Sequence, residues 1–175
     1  MELLPDVFIS EEEIALRVEA LGASITKDYE NQDLIVVCVL KGAFMFCSDL
    51  IKKINRPVSL EFVALSSYGD QTHSSGQVRI DLDISTNLEG KNILIVEDIV
   101  DTGLTSKTLM NFLLTKKPKS IKLASLLFKP SKIKTNVKID YLGFEIEDKF
   151  VIGYGLDYAG RYRELSYIGV LNAGN

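Results

Sequence analysis

The sequence predicts an α/β fold, a central and mostly parallel twisted sheet flanked by helices, in one domain spanning residues 1–175. Three observations lead there. Leu34-Ile-Val-Val-Cys-Val-Leu40 is continuously apolar and rich in β-branched residues, the pattern of a strand covered on both faces. Phe46, Leu50 and Ile54 follow at four-residue spacing, which suits a helix over Ala43–Ile54 crossing back before a strand at Val58–Ser66. A second buried strand, Ile93–Val96, then leads through a polar turn into a helix over Thr105–Leu114 and a further strand over Ile121–Phe128, with Pro118 and Pro130 punctuating the unit.

The remaining elements are read in order. Ser10 and Glu13 make a capping-box pattern, and Ile14, Val18, Leu21 and Ile25 recur at helical spacing, so an amphipathic helix begins just after Ser10. Residues Ser66–Gln77 are polar, glycine-containing and too long for a tight hairpin, which predicts a functional loop. Val78–Ile84 alternates like an exposed strand, and residues 88–92 turn the chain.

Composition narrows the function. A length of 175 residues suffices to bury one core, and 46% hydrophobic with 25% charged residues is ordinary for a globular chain. The formal net charge of -4 argues against a surface built to neutralise nucleic-acid phosphates. Cys38 and Cys47 read as buried free thiols of a reducing compartment. The start, Met1-Glu-Leu-Leu-Pro-Asp6, lacks the basic, apolar pattern of a secretory signal, and Leu34–Leu40 is too short to span a bilayer, so cytoplasmic residence with no membrane partner is expected.

The chemistry is concentrated in Ile93-Leu-Ile-Val-Glu97-Asp98-Ile99-Val-Asp101-Thr102-Gly103-Leu104-Thr105, where a buried strand runs into three carboxylates and then a turn opening a helix. Backbone N–H groups at a helix start, joined by the Thr102 and Thr105 hydroxyls, form a cradle for a phosphate dianion, and Gly103 permits close approach. Neither the Gly-Lys-Ser/Thr loop of nucleoside-triphosphate enzymes nor a Rossmann glycine pattern occurs. A phosphatase Asp-x-Asp at the strand end fails on spacing, since Asp98 and Asp101 are three apart. Carboxylates beside a phosphate site repel it unless a cation or hydroxyl groups lie between. An acidic strand end that merely caps a helix is the plain alternative.

This tract closely resembles the phosphoribosyl diphosphate signature of type I phosphoribosyltransferases. Separated motifs extend the resemblance over nearly the whole chain to the hypoxanthine-guanine branch. Leu40-Lys41-Gly42 is similar to that family's diphosphate-binding loop, in which the Leu-Lys peptide is typically cis. Ser67-Tyr68 resembles the element the family closes over its site. Lys129 stands where the family donates to purine O6. Lys149-Phe150-Val151-Ile-Gly-Tyr154-Gly-Leu-Asp157 resembles the base-binding tract, with Phe150 as stacking ring and Val151 as backbone reader. Asp157 maps to the acid near magnesium and Arg163 to the arginine that grips diphosphate.

The resemblance implies a hood subdomain built from the chain ends and a purine-salvage transferase acting on phosphoribosyl diphosphate and 6-oxopurines. It also implies Mg²⁺ near Glu97, Asp98 and Asp157, Asp101 as catalytic acid or base, and Ile99 among the purine-binding residues. Diphosphate and 5′-phosphate contacts would come from Leu40, Lys41, Gly42, Glu97, Asp98, Asp101 to Thr105, and Arg163. The family is generally a homodimer or homotetramer. Leu104 departs from animal members, which carry lysine there, leaving backbone donors and hydroxyls to hold the phosphate. His73 receives no role. Read without the resemblance, Lys129 is a solvated strand end, Phe150 and Val151 are core, and Arg163 pairs with a nearby carboxylate. A fold-sharing RNA-binding regulator of pyrimidine genes is the alternative from another class, and a pyrimidine or orotate transferase a second.

Overall fold

The computed structural model describes residues 5–67, 78–82 and 84–171. Tyr68 and His73 lie outside them. Strand β1 (Asp6–Ile9) precedes helix α1 (Glu11–Asp28), and β2 (Leu34–Leu40), α2 (Phe44–Lys53) and β3 (Ser59–Ser67) form the first crossover unit. Then come β4 (Val78–Leu82), β5 (Asn92–Val100), α3 (Leu104–Leu114), β6 (Ser120–Phe128), a 3₁₀ turn at Pro130–Lys132, and β7 (Tyr141–Glu145). Two short strands, β8 (Val151–Ile152) and β9 (Ile168–Val170), complete the order.

A six-stranded sheet runs β4-β3-β2-β5-β6-β7, with every neighbouring pair parallel except β3 and β4. A separate antiparallel sheet, β1-β9-β8, joins the two ends of the described chain. Among the described residues no helix is long and apolar enough to cross a membrane.

The Ser10 capping box closes α1 as read: Glu13 N donates to Ser10 Oγ at 3.2 Å, and Ser10 N donates back to Glu13 Oε2 at 2.8 Å. Glu11, Glu12 and Glu13 in the first turn and Lys27 in the last complement the helix dipole. Alternation along β2 splits the core into two layers. Val36 and Cys38 pack with α1 and α2 residues such as Val18, Phe46 and Leu50, while Ile35 and Val37 pack with Leu109 and Leu113 of α3. Both cysteines are free and buried, as expected.

Differences from the sequence reading are local. Strand β5 does not stop at Val96 but continues through Val100, because its ladder with β6 runs on from Glu97 opposite Ser125 to Val100 opposite Phe128. Glu97 and Asp98 therefore lie inside a strand, where ladder hydrogen bonds outweigh the poor strand preference of acidic residues. Strands β1, β7 and β9, of three to five residues, were not foreseen; their pairing partners are distant in sequence, as Asp6 with Val170 illustrates.

Candidate active site

In a parallel sheet the strands deliver their C-terminal ends to one edge, where ligands bind between loops. Here β2, β5 and β6 end around a cavity of about 500 Å³. Of the candidate site residues whose side chains are described, all line it except Leu104. Leu104 sits on the first turn of α3 with an exposed side chain, and its N–H donates to Thr102 Oγ1 at 3.3 Å. Ser67 closes the backbone of β3.

One wall is the acidic strand end. Glu97 is 3% exposed, and burial, reinforced by neighbouring Asp98 and opposed by a Ser106 hydrogen bond, pushes its carboxyl up to about 8. Asp98 is raised too, again mainly by burial; its Oδ1 accepts from Ile99 N at 2.8 Å. Glu97 Oε1 and Asp101 Oδ1 are buried with no hydrogen-bond partner. Orphaned buried oxygens cost stability, so their persistence at a cavity wall marks positions that want donors or a cation from outside the protein. Ser106, which the sequence reading passed over, is 1% exposed and lines the same wall. Its signal was its place one residue beyond the phosphate turn.

The next wall is the phosphate turn. Gly103 adopts φ +80°, a left-handed conformation that a side chain would strain, and α3 begins there without a side-chain cap. Gly103, Thr102 and Thr105 face the cavity at the positive end of the helix dipole.

The loop after β2 forms the third wall, and the Leu40–Lys41 peptide is cis. Gly42 presses on the acids, since a Cβ there would stand 1.6 Å from Asp98 Oδ2.

The fourth wall inverts ordinary burial preferences. Lys129, at the end of β6, is 8% exposed and its Nζ lies 3.4 Å from Asp148 Oδ1. Phe150 is 54% exposed and meets Tyr158 edge-to-face, ring centroids 5.8 Å apart. A solvated lysine and a core phenylalanine are thus both excluded, whereas Val151 is buried in β8. Asp148, also absent from the sequence reading, takes Lys132 Nζ at 3.3 Å as well.

Arg163 does pair with a carboxylate: its Nη2 is 2.7 Å from Asp157 Oδ1, and its Nη1 donates to Gly155 O at 2.6 Å. Asp157 Oδ2 accepts from Gly160 N at 2.8 Å. Both oxygens of Asp157 are engaged, so a cation would meet their remaining lone pairs or a water between. Among the described residues no three His, Cys, Asp or Glu side chains close on one point as a protein-only metal cage. Magnesium rarely asks for one; it takes one or two carboxylates and fills its octahedron with waters and substrate oxygens. The buried pair Glu97 and Asp98, with an unpartnered oxygen, suits that habit.

A parallel sheet whose strand ends hold acids, an uncapped helix start, and a buried lysine and an exposed aromatic lining one cavity define a sugar-phosphate site built to receive a heterocycle. The comparisons agree. The phosphoribosyl transferase domain family matches residues 9–159. The chain is 52% identical over 165 residues to the hypoxanthine-guanine phosphoribosyltransferase of Bacillus subtilis, covering 94% of this chain and 92% of that protein. It is 50% identical over 170 residues to that of Dictyostelium discoideum, covering 95% and 94%. The crystal structure of a hypoxanthine-guanine phosphoribosyltransferase from Bacillus anthracis superposes with a TM-score of 0.92 at 41% identity, covering 97% of this chain and 100% of that one. The chain belongs to the phosphoribosyltransferase family, on its hypoxanthine-guanine branch.

Proposed function

We propose that this protein transfers the phosphoribosyl group of 5-phosphoribosyl 1-diphosphate to hypoxanthine or guanine, giving IMP or GMP and diphosphate in purine salvage. The bond from C1′ to the diphosphate oxygen breaks, a bond from C1′ to a purine nitrogen forms, and the base gives up a proton. The observation that carries the reading is one cavity that joins the acid-ended strand β5, the α3 phosphate turn and the Lys129–Phe150 pair.

The amides of Gly103 to Thr105 and the Thr102 and Thr105 hydroxyls hold the 5′-phosphate. Glu97 and Asp98 accept from the ribose hydroxyls, which supply donors to the unpartnered Glu97 oxygen. Lys41, the amides of Leu40 to Gly42 and Arg163 receive the departing diphosphate, where stabilising the developing charge is the main lever on rate. Magnesium, held by Glu97 and Asp98 and approached by Asp157, would lower the charge on that leaving group. Asp101 lies nearest the base and exchanges its proton; Ile99 and Val151 frame the purine and Phe150 stacks on it. Lys129 donates to O6, which adenine lacks, so 6-oxopurines are selected.

Residues 1–175 act as one domain whose hood is the β1-β9-β8 sheet, in a cytoplasmic homodimer or homotetramer. The test is a product assay with hypoxanthine, guanine, xanthine, adenine and orotate, each with phosphoribosyl diphosphate and with or without magnesium. Magnesium-dependent IMP and GMP are expected; preference for adenine or orotate, or salt-sensitive RNA binding without turnover, would replace the reading.

A further inference from the structure

The turn Gly153-Tyr154-Gly155 links the base-side strand β8 to Leu156 and Asp157, and all three of its residues have positive φ, at +94°, +49° and +100°. Left-handed backbone is uncommon for a bulky residue such as tyrosine and persists only where the surroundings hold it. Two contacts do so, and both lead to the diphosphate side. A Cβ on Gly155 would lie 2.2 Å from Gly42 O, so the turn rests directly on the diphosphate loop. Tyr154, 4% exposed, donates from its hydroxyl to Asp49 Oδ2 at 2.7 Å, and Asp49 belongs to α2, the helix that this loop opens. From the other side, Tyr154 N donates to Leu165 O at 2.9 Å and Gly155 N to Arg163 O at 3.0 Å, tying the turn to the segment that carries Arg163.

Tyr154 and Asp49 lie outside the cavity that receives substrates. We propose that the Tyr154–Asp49 hydrogen bond is a latch, made of two positioning residues, that makes the base-binding tract and the diphosphate loop move as one body and so couples purine binding to diphosphate binding. The inference rests on the function proposed above. A ligand that orders either element orders the other, and the second ligand then binds to a site already set, which yields positive coupling without a new contact between ligands.

Hypoxanthine with magnesium diphosphate cannot react, because the ribose is missing, and therefore reports equilibrium binding alone. Calorimetric titration of the wild-type protein with hypoxanthine is expected to give a Kd about fivefold or more lower in the presence of magnesium diphosphate, the lower range of coupling between linked sites. In Tyr154→Phe and in Asp49→Ala that ratio should fall below about twofold, and the double variant should lose no more than either single one, as partners in one contact do. Thermal melts separate this from a merely structural role, which would lower Tm and leave the ratio intact. Variants that keep the wild-type ratio, or an active wild type that shows no coupling, overturn the latch; a wild type inactive on every purine overturns the proposed function instead.

Discussion

Lys129 Nζ stands 3.4 Å from Asp148 Oδ1 with only a tenth of the lysine side chain exposed. A carboxylate, itself half exposed and shared with Lys132, steadies a cation on the cavity wall. Lysine normally keeps its ammonium in water, and the proposed donation to a ligand acceptor would use the donors that Asp148 leaves free.

Lys129→Gln should therefore raise KM for hypoxanthine and guanine and lower kcat/KM by about 10- to 100-fold, the scale of losing a hydrogen bond from a charged donor. KM for phosphoribosyl diphosphate should change little. Steady-state kinetics with each substrate varied in turn checks both halves, and an equal rise in both KM values would remove Lys129 from base recognition.

Asp101 lines the cavity and has one buried oxygen without a hydrogen-bond partner. Asp101→Asn keeps the shape and removes proton acceptance, so turnover should fall by about a hundredfold or more while the protein folds normally. Rapid-quench measurement of the chemical step reads this directly; unchanged turnover removes the acid-base role.

Gly42→Ala places a methyl group against Asp98 Oδ2, on a carboxylate whose other oxygen is held by Ile99 N. The loop or the acid must shift by an ångström or so, and misplacement on that scale costs about a hundredfold in rate. Loss of activity with a near-native circular dichroism spectrum is the expected signature.

Glu97 offers a pH test. Its folded-state pKa, near 8, lies above the ordinary 4.5, so the native state holds a proton that the unfolded chain has released between those values. Stability from this group is full below about pH 4.5 and is lost as pH rises through about 8. The ligand-free protein should lose up to about 1.4 kcal/mol per pH unit in that window, or about 3–6 °C in Tm per pH unit. Glu97→Gln should flatten the slope, and magnesium with a ribonucleotide should reduce it by stabilising the carboxylate; a Tm indifferent to pH in the wild type would contradict the burial argument.

Phe46 is fully buried between α2 and the sheet, among Val36, Leu50 and Leu94. Phe46→Ala should cost about 3–5 kcal/mol in chemical denaturation at constant m-value.

Local sequence carried much of this protein. The β2 run, the α1 capping box and the order strand, acids, threonine-glycine turn, helix are all short-range patterns, and each depends on periodicity or on groups within a few residues of one another. The family resemblance then supplied the remote members Lys129, Phe150 and Arg163, which periodicity alone leaves as a solvated lysine, a core ring and an ion pair. The ion pair of Arg163 with Asp157 is real, and the other two expectations are reversed.

Tertiary structure decided what depends on partners far along the chain. The β1-β9-β8 sheet pairs residues at opposite ends, so no local window contains its signal. The charge state of Glu97, the burial of Lys129 and the link from Tyr154 to Asp49 likewise follow from which surfaces meet: desolvation and hydrogen-bond geometry depend on distances in space, whereas local sequence controls only backbone preference and the period of its apolar face.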